Sequence, residues 1–360
     1  TELVDKVKAL AMQSAAAGNR VAIISGMGGP GIVMTDWCSQ LGLKLAEFLP
    51  ATWQRLRKVV SPLTSVDNPV DISWGLGDYE ASREVLNAVM EDSGVDAVSA
   101  TGTGIAIDQN HRPHLFYYSN SILYHNFWTG SGWQREIVDS AASYHNGGPA
   151  VVIDNGGRIH VAFFNKNERL SYGFYDTRWH IEPVDTAYRT GDYSDIALDR
   201  NNRPCIAYHR STGMFTGYLR YAAKPGAVWQ IYEHGGEYGG YHASLELDSL
   251  GYPHISDCIS WSSGDLRYIY YDGQDWHYEK PVMVNASGYN SLALDSQDRP
   301  QISLFWVGGG SYDLRFTEKN TGNWRLHLVD HGLQLNKRGW DNKIVIDNGN
   351  TLHIAYHCHN

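Results

Sequence analysis

A sequence repeat constrains the fold of this chain more than any other feature. The stretch "SLELDSLGYPHIS" starting at Ser244 returns as "SLALDSQDRPQIS" starting at Ser291. Each copy has an apolar segment ending in Asp, a short turn and a second apolar segment. Six such anchor aspartates occur 45 to 52 residues apart: Asp108, Asp154, Asp199, Asp248, Asp295 and Asp347. A period of this length indicates a protein built from one repeated supersecondary unit.

Two further apolar segments follow each of the first five hairpins. The third reads "LSYGFY", "LRYAA", "LRYIYY" or "LRFTEK", and a tryptophan opens the fourth. These tryptophans are Trp133, Trp179, Trp229, Trp276 and Trp324. Four short strands per unit of this length are typical of a β-propeller blade. Such sheets bury their faces against neighbouring copies, which explains why the pattern is repeated.

The number of complete units is uneven. There are six first hairpins but five Trp-led fourth strands, and no further strand follows the sixth hairpin in this sequence. We therefore predict an all-β, six-bladed propeller whose sixth blade lacks its outer two strands. A five-bladed propeller with a trailing hairpin is the alternative. An unclosed ring would leave a strand edge open to pairing with another chain.

The two constant residues have structural explanations. A short Asp side chain at a hairpin turn can accept hydrogen bonds from the N–H groups of the turn, as in an Asx turn. The recurrent Trp is expected to wedge between neighbouring blades.

The first 98 residues have a different pattern. Short apolar strands such as "RVAIIS", "LKLAEF" and "VDAV" alternate with helical spacing in "ELVDKVKALAMQSA", "IVMTDWCSQLG", "ATWQRLRKVV" and "DYEASREVLNAVMEDSG". This alternation predicts an α/β domain with a parallel sheet, flavodoxin-like or Rossmann-like and truncated. The expected domains are residues 1–98 and residues 100–360.

A glycine-rich turn in the first domain is a candidate anion site. In "GNRVAIISGMGGPGIVMTD", from Gly18 to Asp36, a strand is followed by the turn and the start of a helix. Outward-pointing N–H groups and the helix dipole favour an anion at such a place. Gly28, Gly29 and Gly31 would allow close approach of a phosphate, and Pro30 suits the first helical turn.

This stretch, together with "SVDNPVDIS" and "GVDAV", resembles the ADP-forming acetate–CoA ligases, which are related to succinyl-CoA synthetase. The resemblance covers about residues 1–98 and implies the CoA-ligase subdomain of that family. It implies binding of CoA or phosphate at Gly26, Gly28, Gly29, Pro30 and Gly31. The "NPVD" turn at residues 68–71 is interpreted as structural.

The departures from the family limit the activity that we expect. Residues 1–98 contain no histidine, so the family's phosphorylated histidine has no counterpart there. No segment of this sequence is recognisable as an ATP-grasp domain, so we expect that the nucleotide would be bound elsewhere. We expect that the chain is no autonomous ligase: it is a component that needs an ATP-grasp subunit, a domain reused for binding, or a chimaeric chain.

The loops that enter the first strand of each repeat unit supply the candidate ligand site. In a propeller they lie at the channel mouth, and here they combine aromatic with short polar residues: Tyr144, His145, Tyr193, Asp195, Tyr241, His242, Tyr289, Asn290, Trp340 and Asp341. Aromatic faces and hydrogen-bonding groups suit a sugar or another small polar ligand. Packing between blades is the structural alternative.

Other recurrent residues are predicted to be structural. His114, His160, His254 and His353 follow the turns but are expected too far apart to share a metal, so no metal is predicted. Arg220, Arg267 and Arg315 are expected to pair with carboxylates such as Asp265 and Asp313. A carboxylate pair for glycan hydrolysis among Asp195, Glu237 and Asp341 is a further hypothesis.

Composition restricts the partners. A formal net charge of −10 argues against nucleic acid. Neither a membrane-spanning segment nor a signal peptide is recognisable, so we expect a cytoplasmic protein, although aromatic repeats of this type are also common in exported proteins. The four cysteines fit no metal motif and are expected to be free thiols, although one disulfide pair remains possible.

Three functions remain: a binding propeller for a small polar ligand, glycan or protein; a component of an ADP-forming acyl-CoA synthetase; and a propeller glycan hydrolase.

Overall fold

The computed structural model describes residues 19–25, 44–60, 65–71, 79–95, 97–100, 104–110, 112–119, 121–129, 133–142, 148–213, 216–234, 238–260, 264–320, 322–333, 337–347 and 349–359. Among them, residues 104–125 and 137–359 form one compact unit, and residues 19–100 and 126–136 form another. Within the described residues, no helix is both long and apolar enough to cross a membrane.

The N-terminal part of the chain contains a parallel sheet centred on its first strand. The strands are β1 (Arg20–Ser25), β2 (Lys44–Leu45), β3 (Val70–Asp71) and β4 (Ala97–Ala100), and β2, β3 and β4 all pair in parallel with β1. The helices are α1 (Pro50–Val59) and α2 (Tyr79–Met90). β1, α1, α2 and β4 lie where the sequence predicted them, whereas β3 was not predicted. The two earlier predicted helices lie outside the described residues, and the flavodoxin-like assignment stays a prediction.

Asn68 has the structural role predicted for the "NPVD" turn. Its Oδ1 accepts the backbone N–H of Ile23 at 2.8 Å, and its Nδ2 donates to the backbone oxygens of Val21 and Ala46 at 2.7 and 3.1 Å. One side chain thereby fixes the turn against β1 and the segment after β2. Ala22, Ile24, Leu56, Val66, Val70 and Val85 are among the residues that form the core beside it.

The rest of the chain is a succession of antiparallel strands. The first sheet contains β5 (Gly104–Ile107), β6 (Pro113–Ser119), β7 (Ile122–Trp128) and β8 (Trp133–Asp139). The second contains β9 (Ala150–Ile153), β10 (Ile159–Phe164), β11 (Leu170–Tyr175) and β12 (Trp179–Pro183). The third contains β13 (Thr190–Leu198), β14 (Pro204–Gly213), β15 (Thr216–Ala223) and β16 (Gln230–His234).

The fourth and fifth repeat units share one long strand. They contain β17 (Tyr241–Leu247), β18 (Pro253–Cys258), β19 (Gly264–Tyr271), β20 (Trp276–Leu294), β21 (Pro300–Gly308), β22 (Ser311–Asn320) and β23 (Asn323–Asp330). The first part of β20 pairs with β19 and the last part with β21, so it ends one unit and begins the next. The sixth unit is the two-stranded sheet of β24 (Lys337–Ile346) and β25 (Leu352–His359). This mostly antiparallel β structure is consistent with a propeller.

The predicted Asx turns are confirmed in all six units. Oδ1 of each anchor Asp accepts the backbone N–H groups two and four residues further on, as Asp154 does from Gly156 at 2.8 Å and Arg158 at 2.7 Å. The same pair of bonds occurs at Asp108, Asp199, Asp248, Asp295 and Asp347. The anchor carboxylates are therefore used in turn formation.

The wedge role of the tryptophans is confirmed at four of the five positions, and the side chain of Trp133 is not among the described ones. Trp229 meets Tyr172 of the preceding unit edge-on, with ring centroids 5.4 Å apart, and Trp324 meets Tyr268 in the same way at 5.3 Å. Trp179 and Trp276 make equivalent contacts. Apolar cores lie between successive sheets, for example around Phe116 and Phe163. Each sheet therefore buries a face against the next, as the repeat requires.

Candidate functional site

A β-bulge recurs in the first strand of units three to six. We call these strands the inner strands: β13, β17, the last part of β20, and β24. The register with the second strand shifts between Asp192 and Asp195, between Tyr241 and Ser244, between Ala286 and Asn290, and between Trp340 and Lys343. Bulges of this kind re-aim side chains and are over-represented beside active sites.

Three aromatic side chains stand at these bulges. Tyr193, His242 and Tyr289 each lie six residues before an anchor Asp, and we call them the aromatic triplet. The centroid of the His242 ring is 4.4 Å from that of Tyr193 and 4.4 Å from that of Tyr289. All three residues are half-buried. Three successive repeat units thus contribute one continuous row of rings.

The backbone of the triplet is unusual for residues with side chains. Tyr193 and His242 both have a φ of 50°, in the left-handed region. This conformation costs an L-residue about 1–2 kcal/mol. A backbone conformation of this kind, repeated at one position in two successive units, is a feature often found where a binding site fixes side-chain direction.

Buried aromatic residues pack against the triplet. Tyr241 is buried, with its ring 4.6 Å from that of His209 and 5.8 Å from that of Tyr193. Nδ1 of His209 lies 2.8 Å from the backbone oxygen of Gly239. Because a carbonyl oxygen can only accept, Nδ1 carries the proton, and burial lowers the pKa of His209. His209 is therefore a neutral packing partner.

His242 is the central ring of the triplet and is also neutral. Burial lowers its pKa to about 3, and the positive charge of Lys343 contributes in the same direction. Its Nε2 atom is buried and makes no hydrogen bond with any described residue.

Two predicted site residues hold successive sheets together. Oδ2 of Asp195 accepts the backbone N–H of Leu245, and Oδ1 accepts that of Ile196, both at 2.9 Å. Oδ1 of Asn290 accepts the hydroxyl of Ser256 at 2.5 Å, while its Nδ2 donates to the backbone oxygen of His242 at 3.0 Å. Both side chains are buried and have these structural partners.

The remaining predicted site residues are placed only in part. Tyr144, His145 and Glu237 lie outside the described residues, as do Gly26, Gly28, Gly29, Pro30 and Gly31. Trp340 and Asp341 belong to β24, where Trp340 pairs with His357, and their side chains are not described. The structure therefore brings together Tyr193, Tyr241, His242 and Tyr289. Of the carboxylates considered for glycan hydrolysis, it describes only the side chain of Asp195.

The recurrent histidines have hydrogen-bond partners within their own units, as predicted. Nδ1 of His160 lies 2.5 Å from the hydroxyl of Tyr172, and its Nε2 is 3.5 Å from Oδ2 of Asp154. His254 and Tyr268 form the same pair. Nδ1 of His114 is 2.8 Å from Nε2 of His125, and Nε2 of His353 is 3.1 Å from Oδ2 of Asp347. Among the described residues, no group of His, Cys, Asp and Glu could hold a metal.

The repeated arginines pair with carboxylates, although not always the expected ones. Arg315 pairs with Asp313 at 2.9 Å, as predicted. Arg267 pairs with the buried Asp257, whereas Asp265 lies 2.9 Å from Lys280. Arg220 pairs with Asp185 and Glu233 at 2.6 and 2.7 Å. Cys205 and Cys258 are buried, and neither forms a disulfide with another described residue.

Sequence analysis missed two residues: His209, whose ring packs beside Tyr193 and Tyr241, and Lys343 on β24. His209 lies on a second strand, and nothing in the repeat distinguishes it. Lys343 occupies the position held by Asp195, Ser244 and Ser291 in earlier units, four residues before the anchor. Aligning the units by their anchor aspartates, rather than by their loop motifs, would have shown that a lysine replaces the aspartate or serine at this position.

The repeat units resemble those of a β-propeller repeat protein. A solved structure of a polysaccharide lyase, an ulvan lyase, is similar, with a TM-score of 0.50 and 11% identity over 71% of this chain and 75% of that chain. At that identity the similarity shows the fold alone.

Residues 21–99 match the family model described as "Ligase-CoA domain". The ADP-forming acetate–CoA ligase II of Archaeoglobus fulgidus is 40% identical over 103 residues, which is 28% of this chain and 15% of that protein. The alpha subunit of the ADP-forming acetate–CoA ligase II of Pyrococcus furiosus is 40% identical over 85 residues, 23% of this chain and 18% of that subunit. The chain thus contains a CoA-ligase-like domain but spans less than a fifth of the length of these two relatives.

Proposed function

We propose that the chain is a binding protein whose repeat part takes up a small polar ligand, in particular a glycan, over the aromatic triplet. The observation that carries this proposal is the row of half-buried rings at Tyr193, His242 and Tyr289, 4.4 Å apart. Aromatic faces pack against the CH faces of a sugar, and nearby polar groups fix its orientation.

In the same proposal the repeat part is a six-bladed propeller with an incomplete sixth blade. The hydrogen bond from the backbone N–H of Ile344 to Oγ of Ser291, at 3.3 Å, supports this count. It joins the inner strands of units five and six as equivalent bonds join earlier units. A hairpin that merely trailed behind five blades would not be expected to repeat that contact.

The test is a glycan array followed by titration calorimetry with the best ligand. Tyr193→Ala and Tyr289→Ala should each weaken binding about tenfold or more, because each removes one stacking face. Tyr232→Ala is the matched control, since Tyr232 is an exposed tyrosine on the outer strand β16. Absence of binding to any glycan, or equal losses for all three variants, would contradict the proposal.

A second candidate function belongs to the N-terminal part. The match to the Ligase-CoA domain over residues 21–99 favours binding of CoA or phosphate at Gly26, Gly28, Gly29, Pro30 and Gly31. In this case the chain would serve an ADP-forming acyl-CoA synthetase together with a separate ATP-grasp subunit. Calorimetry with CoA and with inorganic phosphate tests it. Gly29→Val should abolish the binding of whichever ligand is found, and the absence of binding to both would remove the candidate.

A further inference from the structure

Two tyrosines at one end of unit three form an aromatic surface apart from the triplet. The rings of Tyr218 and Tyr238 have centroids 5.6 Å apart, and we call these side chains the tyrosine pair. Tyr218 is half-buried near the start of β15, while Tyr238 is 48% exposed in the loop that leads from β16 to β17. Adjacent exposed tyrosines combine apolar ring faces with polar ends, which suits contact with a bound molecule.

The backbone that carries the tyrosine pair is tightly packed. The backbone N–H of Gly239 donates to the backbone oxygen of Gly217 at 2.9 Å, and Nδ1 of His209 donates to the backbone oxygen of Gly239 at 2.8 Å. A Cβ at Gly217 would collide with the ring of His209, and a Cβ at Gly239 would collide with the guanidinium of Arg267. The tyrosine pair is therefore held in place before a ligand arrives, which lowers the entropy cost of binding.

The tyrosine pair lies on the face of unit three that is turned toward unit two. Leu219 packs in the core between units three and four, so the side chain of its neighbour Tyr218 points to the other face. Arg210 stands directly opposite Tyr218 in the register of β14 and β15 and therefore shares that face. Tyr193 of the triplet instead contacts His242 of unit four. The sheet of unit three thus separates the two aromatic surfaces.

An arginine–glutamate pair lies beside the tyrosine pair on the same face. Nη1 of Arg210 donates to Oε2 of Glu233 at 2.8 Å, and the same oxygen accepts Nε of Arg220 at 2.7 Å. The side chains of Arg210 and Glu233 are 31% and 33% exposed. Nε of Arg210 is buried, which leaves its other N–H donors for a ligand. Oε1 of Glu233 accepts no hydrogen bond from a residue that the structure describes, so the pair offers both donors and an acceptor.

The charged side chains around the tyrosine pair compensate one another. Besides its bond to Glu233, Arg220 donates from Nη1 to Oδ2 of Asp185 at 2.6 Å. Nε of Arg189, in the loop before β13, pairs with Oε2 of Glu168 of unit two at 3.1 Å. Three arginines are thereby matched by three carboxylates: Arg189, Arg210 and Arg220 by Glu168, Asp185 and Glu233. Such a balance favours a ligand that carries hydroxyl groups and no net charge.

We propose that this end of unit three is a second saccharide site, which takes a neutral sugar residue. The CH face of the sugar would stack on Tyr238 and Tyr218. Its hydroxyl groups would accept from Arg210 and donate to Oε1 of Glu233, because a hydroxyl is both donor and acceptor. The site does not require the triplet, so the inference goes beyond the proposed function. A polysaccharide that reached both sites would gain avidity.

The experiment titrates the chain with the methyl glycosides of glucose, galactose, mannose and xylose, followed by saturation-transfer NMR. Methyl glucuronide is the acidic comparison. At least one neutral glycoside should bind to the Tyr193→Ala variant, in which the triplet is impaired. Adding Tyr238→Ala should weaken this binding about tenfold or more, because a stacking face is removed. Tyr238→Phe should retain most of the affinity, because the ring remains.

Glu233→Gln should also weaken binding about tenfold, because a hydrogen bond to a charged acceptor is lost. Tyr232→Ala is the matched control. Tyr232 is exposed and directly precedes Glu233 on β16, so its side chain lies on the opposite face of the strand. It should leave the affinity unchanged. Thermal unfolding of each variant shows that it is folded.

If glycoside binding is lost in Tyr193→Ala and unaffected by Tyr238→Ala, the inference is wrong and the proposed function of the triplet stands. If Tyr238→Ala abolishes binding and Tyr193→Ala has no effect, the second site stands and the triplet is not a binding site. If no neutral glycoside binds, or if methyl glucuronide binds more tightly than all of them, the inference is wrong.

Discussion

The side-chain oxygen of Ser291 accepts the backbone N–H of Ile344 at 3.3 Å, and both residues are fully buried. Ser244 accepts from Leu292 at 3.1 Å in the same way, and Asp195 accepts from Leu245 at 2.9 Å. One hydrogen bond therefore recurs at three successive junctions between inner strands. It satisfies a buried N–H that the hairpin pairing leaves free, and so links neighbouring units at the level of the aromatic triplet.

Ser291→Ala should destabilise the fold. The substitution leaves the buried N–H of Ile344 without an acceptor, which costs about 1–3 kcal/mol in the free energy of unfolding. Urea denaturation measures the loss. Ser140→Ala, at an exposed serine between strands, should stay within about 0.5 kcal/mol of the wild type. Equal stability of the two variants would show that the junction bond contributes nothing.

Asp257→Asn should destabilise the fold more than any exposed charge change. Asp257 is fully buried and accepts hydrogen bonds from Nε of Arg267, at 2.9 Å, and from the backbone of Gly240. Neutralising it removes the buried negative charge that pairs with the guanidinium of Arg267, at a cost of about 3–5 kcal/mol.

Asp265→Asn is the matched control for Asp257→Asn. Asp265 pairs with Lys280 at 2.9 Å, and its side chain is 15% exposed, against 0% for that of Asp257. Because water reaches both members of the Asp265–Lys280 pair, neutralising Asp265 should cost clearly less than the loss of about 3–5 kcal/mol expected for Asp257. Chemical denaturation of both variants decides the comparison, and a larger loss for Asp265→Asn would contradict the assignment of Asp257 as the essential partner.

Trp324→Phe should cost more stability than Trp276→Phe. Both rings pack edge-on against tyrosines of the preceding unit, but Nε1 of Trp324 also donates to Glu279 at 2.7 Å. Loss of a hydrogen bond to a charged group adds about 1–3 kcal/mol to the loss of packing. Thermal unfolding of the two variants measures the difference. The same midpoint for both would mean that the tryptophans act through packing alone.

The repeat made much of the fold predictable, because its anchor aspartates and tryptophans have the same local role in every unit. The turn at Asp154 and the inter-unit packing of Trp229 could both be predicted from the sequence alone. The candidate binding site was harder to predict from the sequence. Tyr241 was taken as the equivalent of Tyr193, but the bulge and the count back to the anchor place His242 there instead. The two-residue strand β3 was missed because a strand so short has no periodicity.

The last prediction concerns pH. His234 is buried, and burial lowers its pKa to about 4, while Nδ1 lies 2.9 Å from the hydroxyl of Tyr278. In the unfolded chain the pKa of a histidine is about 6.5. Between these two values the unfolded state binds a proton that the folded state does not. The free energy of unfolding therefore decreases as the pH falls through this window, by about 3 kcal/mol for this one group.

His234→Phe should remove this contribution while keeping an aromatic ring against Trp276, whose centroid lies 4.4 Å from that of His234. The hydroxyl of Tyr278 can turn to water, because that side chain is exposed. Urea denaturation at about pH 7 and about pH 4.5 should show a difference smaller by about 2–3 kcal/mol than in the wild type. Part of the pH dependence should remain, because burial also lowers the pKa values of four other histidines: His160, His209, His242 and His254.

The control is His327→Phe, at a side chain 46% exposed on β23. It should leave the difference in free energy of unfolding between the two pH values unchanged. A pH dependence identical in His234→Phe and the wild type would show that the imidazole of His234 is not desolvated in the folded protein.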